Sequence, residues 1–296
     1  MSAGGTIAAR MHAAPAFAAR RWPALLLHLG PATAFYVVFL VVPYLVVLRM
    51  SFNRFSSTKM YIEDFTLANY AAIVTDPYYG ALLARTVGLG LVVTLITFLL
   101  GYPLAVKIVR STPRLKTVLL AVALSPLLIN LVVRTYAWLV LLGDKGVINA
   151  WLVGHGLVAS PLPINSNLFA VTIGLAHITL PLMVLSLVGV MESIDGRIVE
   201  AAQSLGSTSR RIHWRILLPL SLPGIASGSL LVFCFTISAF VTPALLGGNR
   251  VSTVSTVIYE KFTYSLNWPL GAALVFVLLA LNLVLIVAHG RAFRER

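Results

Sequence analysis

Six long apolar windows restrict what this chain can fold into more than any other feature of the sequence. An α-helix needs roughly 20 apolar residues to cross the ~30 Å hydrocarbon core of a bilayer, and each window meets that length. The windows are residues 25–48, 86–106, 117–142, 168–190, 219–246 and 270–289. Their residues do not alternate in hydropathy as the strands of a membrane β-barrel do. Because 59% of the chain is hydrophobic and 10% is charged, we predict an all-α membrane protein with six transmembrane helices.

The positive charges predict the orientation. Six spans put both termini on one side, and that side carries fourteen of the 22 Lys and Arg residues, against seven on the other. Because positively charged loops tend to stay in the cytoplasm, we predict that the tail 1–24, the loop 191–218 and the tail 290–296 are cytoplasmic. The net charge of +13 is then mainly a signal of topology, and we expect no nucleic-acid partner.

Residues for catalysis or metal binding do not occur in the patterns that such chemistry needs. Cys234 is the only cysteine, and the six histidines show no ligand spacing. The sequence has no P-loop of the form GxxxxGK(S/T), and no Asp or Glu lies inside an apolar window. A membrane-embedded hydrolase would therefore lack its acid or base. We expect no catalysis by this chain, no metal and no cofactor.

The loop 191–218, called the EAA loop below, carries a short amphipathic helix. Its apolar stripe consists of Ile198, Ala201, Ala202 and Leu205, which lie at i, i+3, i+4 and i+7. Gly206 follows directly, where helices often end on a left-handed residue. So short a helix is not stable alone in water. It needs a partner groove, or it folds back on its own bundle or onto the lipid interface.

Seven residues in and directly after the EAA loop fill a known signature at its expected spacing. They are Glu200, Ala201, Ala202, Gly206, Ile216, Leu218 and Pro219. The pattern resembles the EAA segment of permease subunits in bacterial ABC importers of type I, which work with a binding protein. The stretches LLGYPLAVKI, NLVVRTYAWLVLLGDKGVIN and DFTLANY look like the spermidine/putrescine branch, which iron, thiamine, opine and aminophosphonate permeases share. The resemblance covers most of the chain from Leu25 onward.

The resemblance implies a six-helix permease fold in the bacterial inner membrane, with the seven signature residues at the coupling to an ATPase, and we add Leu205 of the apolar stripe to this set. It implies as partners a second, distinct permease, two cytoplasmic ATPase subunits, a periplasmic substrate-binding protein and the surrounding lipid. The cargo it implies is a polyamine, with an opine, aminophosphonate, thiamine or iron as alternatives. A secondary transporter or channel that works without ATP is a more distant alternative, because it would leave the EAA loop unexplained and usually needs ionisable residues near the midplane.

Polar residues within the windows are the remaining candidates for function. Arg134 lies in the third window, and ionisable residues in spans are functional candidates by default. A straight helix would place it near the outer interface, where it could snorkel or pair structurally. Alternatively, it lines the path or a gate with its neighbours Asn130 and Tyr136, and both interpretations stay open. For His177 and Asn282 we expect hydrogen bonds between helices.

Overall fold

The computed structural model describes residues 30–294, so the predicted tail 1–24 lies outside the described part. A first compact unit extends to Ser51. Its described part is one helix, α1 (Gly30–Ser51), with a π-helical turn at Val37–Val41. The large apolar side chains of α1 from Phe35 to Leu45 are exposed, which is typical of a helix that lies in lipid.

The second unit, from Phe52 onward, consists of a small hairpin and twelve helices within the described residues. Its elements are β1 (Arg54–Ser56), β2 (Met60–Ile62), α2 (Ala68–Thr75), α3 (Pro77–Val109), α4 (Pro113–Leu128), α5 (Leu131–Leu142), α6 (Val147–Gly154), α7 (Leu168–Glu192), α8 (Gly196–Ser204), α9 (Ser209–Leu220), α10 (Leu222–Ser238), α11 (Val241–Leu246), α12 (Val254–Thr263) and α13 (Trp268–Arg294). The hairpin pairs β1 with β2 in antiparallel register, with Phe55 opposite Tyr61. No pattern in the sequence predicted this hairpin.

Helices α3, α7 and α10 pack against one another and form the centre of the second unit. Small residues let their backbones approach closely, as is common between membrane helices. A Cβ atom on Gly90 of α3 would lie 2.8 Å from side-chain atoms of Phe233 and Ile237 on α10. A Cβ atom on Gly228 of α10 would lie 2.8 Å from Sδ of Met183 on α7. Glycine is therefore required at both crossings by the lack of space.

Four described helices are continuous, long and apolar enough to cross a membrane: α1, α3, α7 and α13. Two further spans are bent pairs, so the count rises to six if each pair is one span. Helix α4 meets the segment Leu131–Gly154 at 96°, and α9 meets α10 at 61°. The windows 117–142 and 219–246 are thus not straight helices, contrary to the simplest interpretation of their composition.

Local chemistry accounts for the break in the third window. Pro126 lies in the last turn of α4, where it provides no N–H group for the helical ladder. Asn130 then caps the new helix α5, because its side-chain oxygen accepts from the N–H groups of Val132 at 2.9 Å and Val133 at 3.4 Å. In the fifth window, α10 ends at Ser238 and α11 begins at Val241.

The two deep polar residues form the hydrogen bonds that the sequence predicts. Nε1 of Trp138 on α5 donates to Nδ1 of His177 on α7 at 3.1 Å. Nδ2 of Asn282 on α13 donates to Oγ of Ser238 on α10 at 3.5 Å and to the carbonyl of Leu278 at 3.0 Å. Both side chains therefore link neighbouring helices, which confirms this expectation.

Candidate functional site

The EAA loop lies at one end of the helical bundle and is tied to it on both sides. It begins where α7 ends, and there Nζ of Lys116 on α4 lies 2.6 Å from the carboxylate of Glu192. Three residues beyond its end lies Ser221, which is fully buried and whose hydroxyl donates to the carbonyl of Leu217 at 2.6 Å. Helices α8 and α9 lie between these two points, so the bundle positions both of them.

Helix α8 has a capped start. Asp195 is its N-cap residue, and one carboxylate oxygen accepts from the N–H of Arg197 at 2.9 Å. The guanidinium of Arg197 also lies 3.1 Å from this carboxylate. The cap satisfies a free N–H group, and the negative charge stabilises the positive end of the helix dipole. A helix of nine residues is therefore well defined at its start although it is short.

The end of α8 is a Schellman motif centred on Gly206. The N–H of Gly206 donates to the carbonyl of Gln203 at 2.9 Å, and the N–H of Ser207 donates to the carbonyl of Ala202 at 3.0 Å. Gly206 has a φ of 77°, the left-handed conformation that the sequence predicts. A Cβ atom on Gly206 would have nothing within 4 Å. Glycine is thus required within this chain by backbone conformation and not by crowding.

The apolar stripe of α8 is only partly covered by its own chain. Ala202 is half-buried, whereas Ala201 is exposed and Ile198 is 44% exposed. Leu205, at the end of the helix, is 86% exposed. Fully burying a leucine side chain is worth about 1.5–3 kcal/mol, so this stripe remains available to stabilise contact with another surface. Glu200 is also exposed, and its carboxylate has no ion-pair partner among the described side chains.

The remaining signature residues lie on α9 and not on α8. Ile216 and Leu218 are half-buried, and Pro219 is exposed in the last turn of α9. The window 219–246 predicts that Pro219 opens the fifth span, but the spanning helix α10 begins at Leu222, after the bend at Ser221. The signature therefore describes two helices, one exposed and one anchored to the bundle.

Two side chains anchor α9 to the bundle. Ile212 is 2% exposed, and the ring of His213 contacts that of Tyr102 on α3 edge to face, with 5.3 Å between ring centroids. Tyr102 itself is 7% exposed. The turn His213–Leu217 is π-helical, and such turns are frequent at functional sites. The EAA loop thus contacts α3 through His213 and is continuous with α10 at Ser221.

Of the three candidate pathway residues, Asn130 and Arg134 lie together at the break between α4 and α5, whereas Tyr136 lies on another side of α5. Asn130 caps α5, and Arg134, one turn later, is 7% exposed. Nη1 of Arg134 donates to the carbonyl of Pro126 across the break between α4 and α5. Tyr136 is 52% exposed and lies two positions beyond Arg134, so it points in a different direction. The third window is bent by 96° between α4 and the segment that contains α5. The position of Arg134 across the membrane therefore cannot be calculated from one straight helix, as the sequence alone suggested.

A second feature lies near the break between α4 and α5 and involves residues that no sequence motif brought together. A cavity of about 260 Å³ lies at the break between α10 and α11. Its lining residues are Leu131, Phe235, Ser238, Ala239, Phe240, Val241 and Thr242. The hydroxyls of Thr135 on α5 and Thr242 on α11 lie 3.5 Å apart, so the two helix breaks are neighbours. The nearby prolines Pro126 and Pro243 are the signal that could have pointed to them.

Comparisons with known proteins agree with this geometry. The chain is 34% identical over 256 residues to the spermidine/putrescine transport system permease protein PotB of Haemophilus influenzae, covering 86% of this chain and 89% of that protein. It is 32% identical to the PotB protein of Escherichia coli, covering 87% and 94%.

A crystal structure of a bacterial alginate ABC transporter contains a chain with the same fold. The TM-score is 0.77 at 20% identity, and the match covers 94% of this chain and 96% of that chain. The fold is thus that of a type I ABC transporter permease. Residues 30–294 match the family described as binding-protein-dependent transport system inner membrane component. The chain therefore belongs to this family and is a multi-pass protein of the inner membrane.

Proposed function

We propose that this chain is the permease subunit of an ABC importer for polyamines such as spermidine and putrescine. The single observation that supports a polyamine as cargo is the 34% identity, over 86% of this chain, to a permease of a spermidine/putrescine transport system. As a member of its family the chain is a transport subunit. Its role is to form the path through the membrane and to couple that path to ATP hydrolysis by partner subunits.

The first part of the mechanism concerns the EAA loop. We place the ATPase contact on α8 and its end, at Glu200, Ala201, Ala202, Leu205 and Gly206. The exposed apolar stripe and the capped, sharply ended helix support this role. Small alanines permit close approach of a partner surface, and Leu205 supplies apolar area that this chain leaves in water.

The second part concerns transmission to the membrane. When ATP closes the ATPase subunits, α8 moves with them and carries α9, on which Ile216, Leu218 and Pro219 lie. His213 transmits this movement to Tyr102 on α3, and the 61° bend transmits it to α10. Both helices belong to the central packing of the second unit, so the path changes shape as they shift.

The third part concerns the path. We place the gate at the two neighbouring helix breaks, where Asn130 and Arg134 hold the junction of α4 and α5. Backbone outside a regular helix is tolerated within a membrane only where it is buried in protein or lines a cavity. The guanidinium of Arg134 donates to the carbonyl of Pro126, which holds this side chain at the junction of the two helices. The exposed Tyr136 is a further candidate lining residue.

The family supports partnership with an ATPase and a binding protein. We propose the specific assembly as one copy of this chain with a second, distinct permease, two cytoplasmic ATPase subunits and a periplasmic binding protein. In this arrangement the EAA loop and both termini face the cytoplasm.

Uptake of labelled putrescine and spermidine tests the function. The complete transport system is expressed in cells that lack their own polyamine uptake, with wild-type Gly206 or with Gly206→Glu. We expect uptake that requires both ATP and an intact Gly206. An assembled complex that takes up neither polyamine would overturn the assignment of a polyamine as cargo. Opines, aminophosphonates, thiamine and iron would then be tested as substrates. Uptake that persists without any ATPase subunit would overturn the importer mechanism itself.

A further inference from the structure

Helix α9 carries a charged surface that the proposed coupling role does not use. Arg210, Arg211 and Arg215 are exposed, and their side chains form no ion pair with any described side chain. Trp214 lies among them and is 60% exposed. At 100° per residue these four side chains fall within an arc of about 140° on one face of the helix. We call this set the arginine face.

The opposite side of α9 is turned to the bundle. Ile212 is 2% exposed, and His213 and Ile216 are half-buried. The bundle therefore fixes the rotation of α9 about its own axis. The arginine face must point away from the protein, and it cannot turn inward without exposing Ile212 and losing the contact between His213 and Tyr102.

The bend at Ser221 determines the direction of this helix relative to the membrane. Helix α9 is inclined by 61° to α10, and membrane-spanning helices tilt on average about 20° from the bilayer normal. With α10 tilted by about 20° from the normal, α9 lies between about 41° and 81° from the normal, and over most of this range it is closer to the membrane plane. At 1.5 Å per residue, α9 extends roughly 18 Å from Ser209 to Leu220, so it runs along the interface.

The residues on either side of the bend show where the hydrocarbon begins. Leu220 and Leu222 are 41% and 39% exposed, and they follow the arginine face directly. A chain that passes from arginines through a tryptophan to exposed leucines has the polarity profile of a membrane interface.

We infer that α9 is an interfacial helix whose Arg210, Arg211 and Arg215 bind the phosphate groups of anionic phospholipids. Guanidinium groups form paired hydrogen bonds with phosphate oxygens, and the indole of Trp214 packs at the level of the headgroups. Because α9 connects α8 to α10, bound lipid would set the resting position of α8. Anionic lipid would thus support coupled ATP hydrolysis. The inference rests on the proposed function only for the statement that this face is cytoplasmic and coupled to an ATPase.

The test uses the complete complex in nanodiscs of phosphatidylcholine with increasing phosphatidylglycerol. Binding is followed by quenching of Trp214 fluorescence with brominated phosphatidylglycerol, and a Trp214→Phe complex gives the background from the other tryptophans. ATP hydrolysis stimulated by the binding protein is measured on the same samples. The key variant carries Arg210→Gln, Arg211→Gln and Arg215→Gln together, and its charge-preserving counterpart carries Lys at the three positions.

Each arginine near an anionic surface strengthens association about fivefold, so the triple Gln variant should bind phosphatidylglycerol roughly 100-fold more weakly. Its ATP hydrolysis should no longer rise with phosphatidylglycerol, whereas the triple Lys variant should retain most of the rise. A matched control replaces Arg54 and Lys59, which are exposed on the hairpin, by Gln and should behave as wild type.

Unchanged quenching and an unchanged lipid dependence in the triple Gln variant would overturn the inference. So would loss of the ATPase from this variant in lipid-free detergent, since the arginines would then contact the ATPase. The Gly206→Glu complex separates this inference from the coupling proposal. It should lose the ATPase but keep quenching by phosphatidylglycerol, and retention of the ATPase there would count against the coupling role alone.

Discussion

Substitutions of Gly206 can separate the conformational need of this residue from its proposed contact with the ATPase. At a φ of 77°, an L-amino acid costs roughly 1–2 kcal/mol, and asparagine is tolerated better than most. Nothing lies within 4 Å of the position of a Cβ atom, so no side chain clashes inside this chain. Gly206→Ala and Gly206→Glu should therefore strain the turn equally, reducing its population about 5- to 30-fold.

Contact with the ATPase should make Gly206→Ala and Gly206→Glu differ. If the end of α8 is buried in an ATPase cleft, Gly206→Glu also leaves an uncompensated buried charge, which costs about 3–5 kcal/mol more. That corresponds to a further loss of more than about 100-fold in productive docking. We expect Gly206→Asn to be close to wild type, Gly206→Ala to retain part of its uptake, and Gly206→Glu to show none.

The assay combines polyamine uptake with co-purification of the ATPase in mild detergent for each variant. Gly196→Glu is a matched control, because Gly196 is an exposed glycine of the same helix with free space around it. This control should retain both uptake and the ATPase. Equal uptake by the Ala and Glu variants, both with the ATPase bound, would refute the docking argument and leave only a structural role for the turn.

Three further substitutions test other parts of the structure. Leu205→Ser should leave the thermal stability of the isolated chain unchanged, because Leu205 is 86% exposed. It should weaken ATPase association at least tenfold through loss of about 1.5–3 kcal/mol of apolar burial, and unchanged association in a pull-down would contradict this. Arg134→Gln should lower the free energy of unfolding by about 1–3 kcal/mol, seen as a lower Tm in detergent, because the bond to Pro126 is lost. A changed cargo preference at unchanged Tm would instead show that Arg134 lines the path. Thr86→Val should also cost about 1–3 kcal/mol, because the buried N–H of Val254 loses its acceptor at 3.0 Å, whereas Thr86→Ser should be nearly neutral; equal Tm values for the two variants would argue against this hydrogen bond.

Features that depend on local chemistry could be predicted from the sequence. The apolar windows predict membrane-spanning segments, because about 20 apolar residues are sufficient for a span whatever surrounds them, and four of the six windows coincide with continuous helices long enough to span. The spacing of Ile198, Ala201 and Leu205 predicts α8, and a glycine after the last apolar position predicts the left-handed residue that ends it. These features depend on neighbours within a few residues, which the sequence contains.

The bends in the third and fifth windows depend on more than composition. An apolar window has the same hydropathy whether its helix is straight or broken, so 117–142 and 219–246 do not reveal the 96° and 61° bends. Proline alone is not decisive, because Pro181 lies within the continuous helix α7. A break persists where side chains satisfy the freed backbone groups, as Arg134, eight residues later, does for the carbonyl of Pro126.

The sequence by itself thus determined the class of fold, the four continuous helices long enough to span a membrane and the helix that is proposed to couple them to an ATPase. Only the tertiary structure decided which side of each short helix is covered. It leaves Leu205 exposed, buries Ile212 and thereby turns Arg210, Arg211 and Arg215 outward. Periodicity shows that a helix has two faces, but the side that is buried depends on contacts such as that between His213 and Tyr102. Those residues are more than one hundred positions apart, and only the folded chain brings them together.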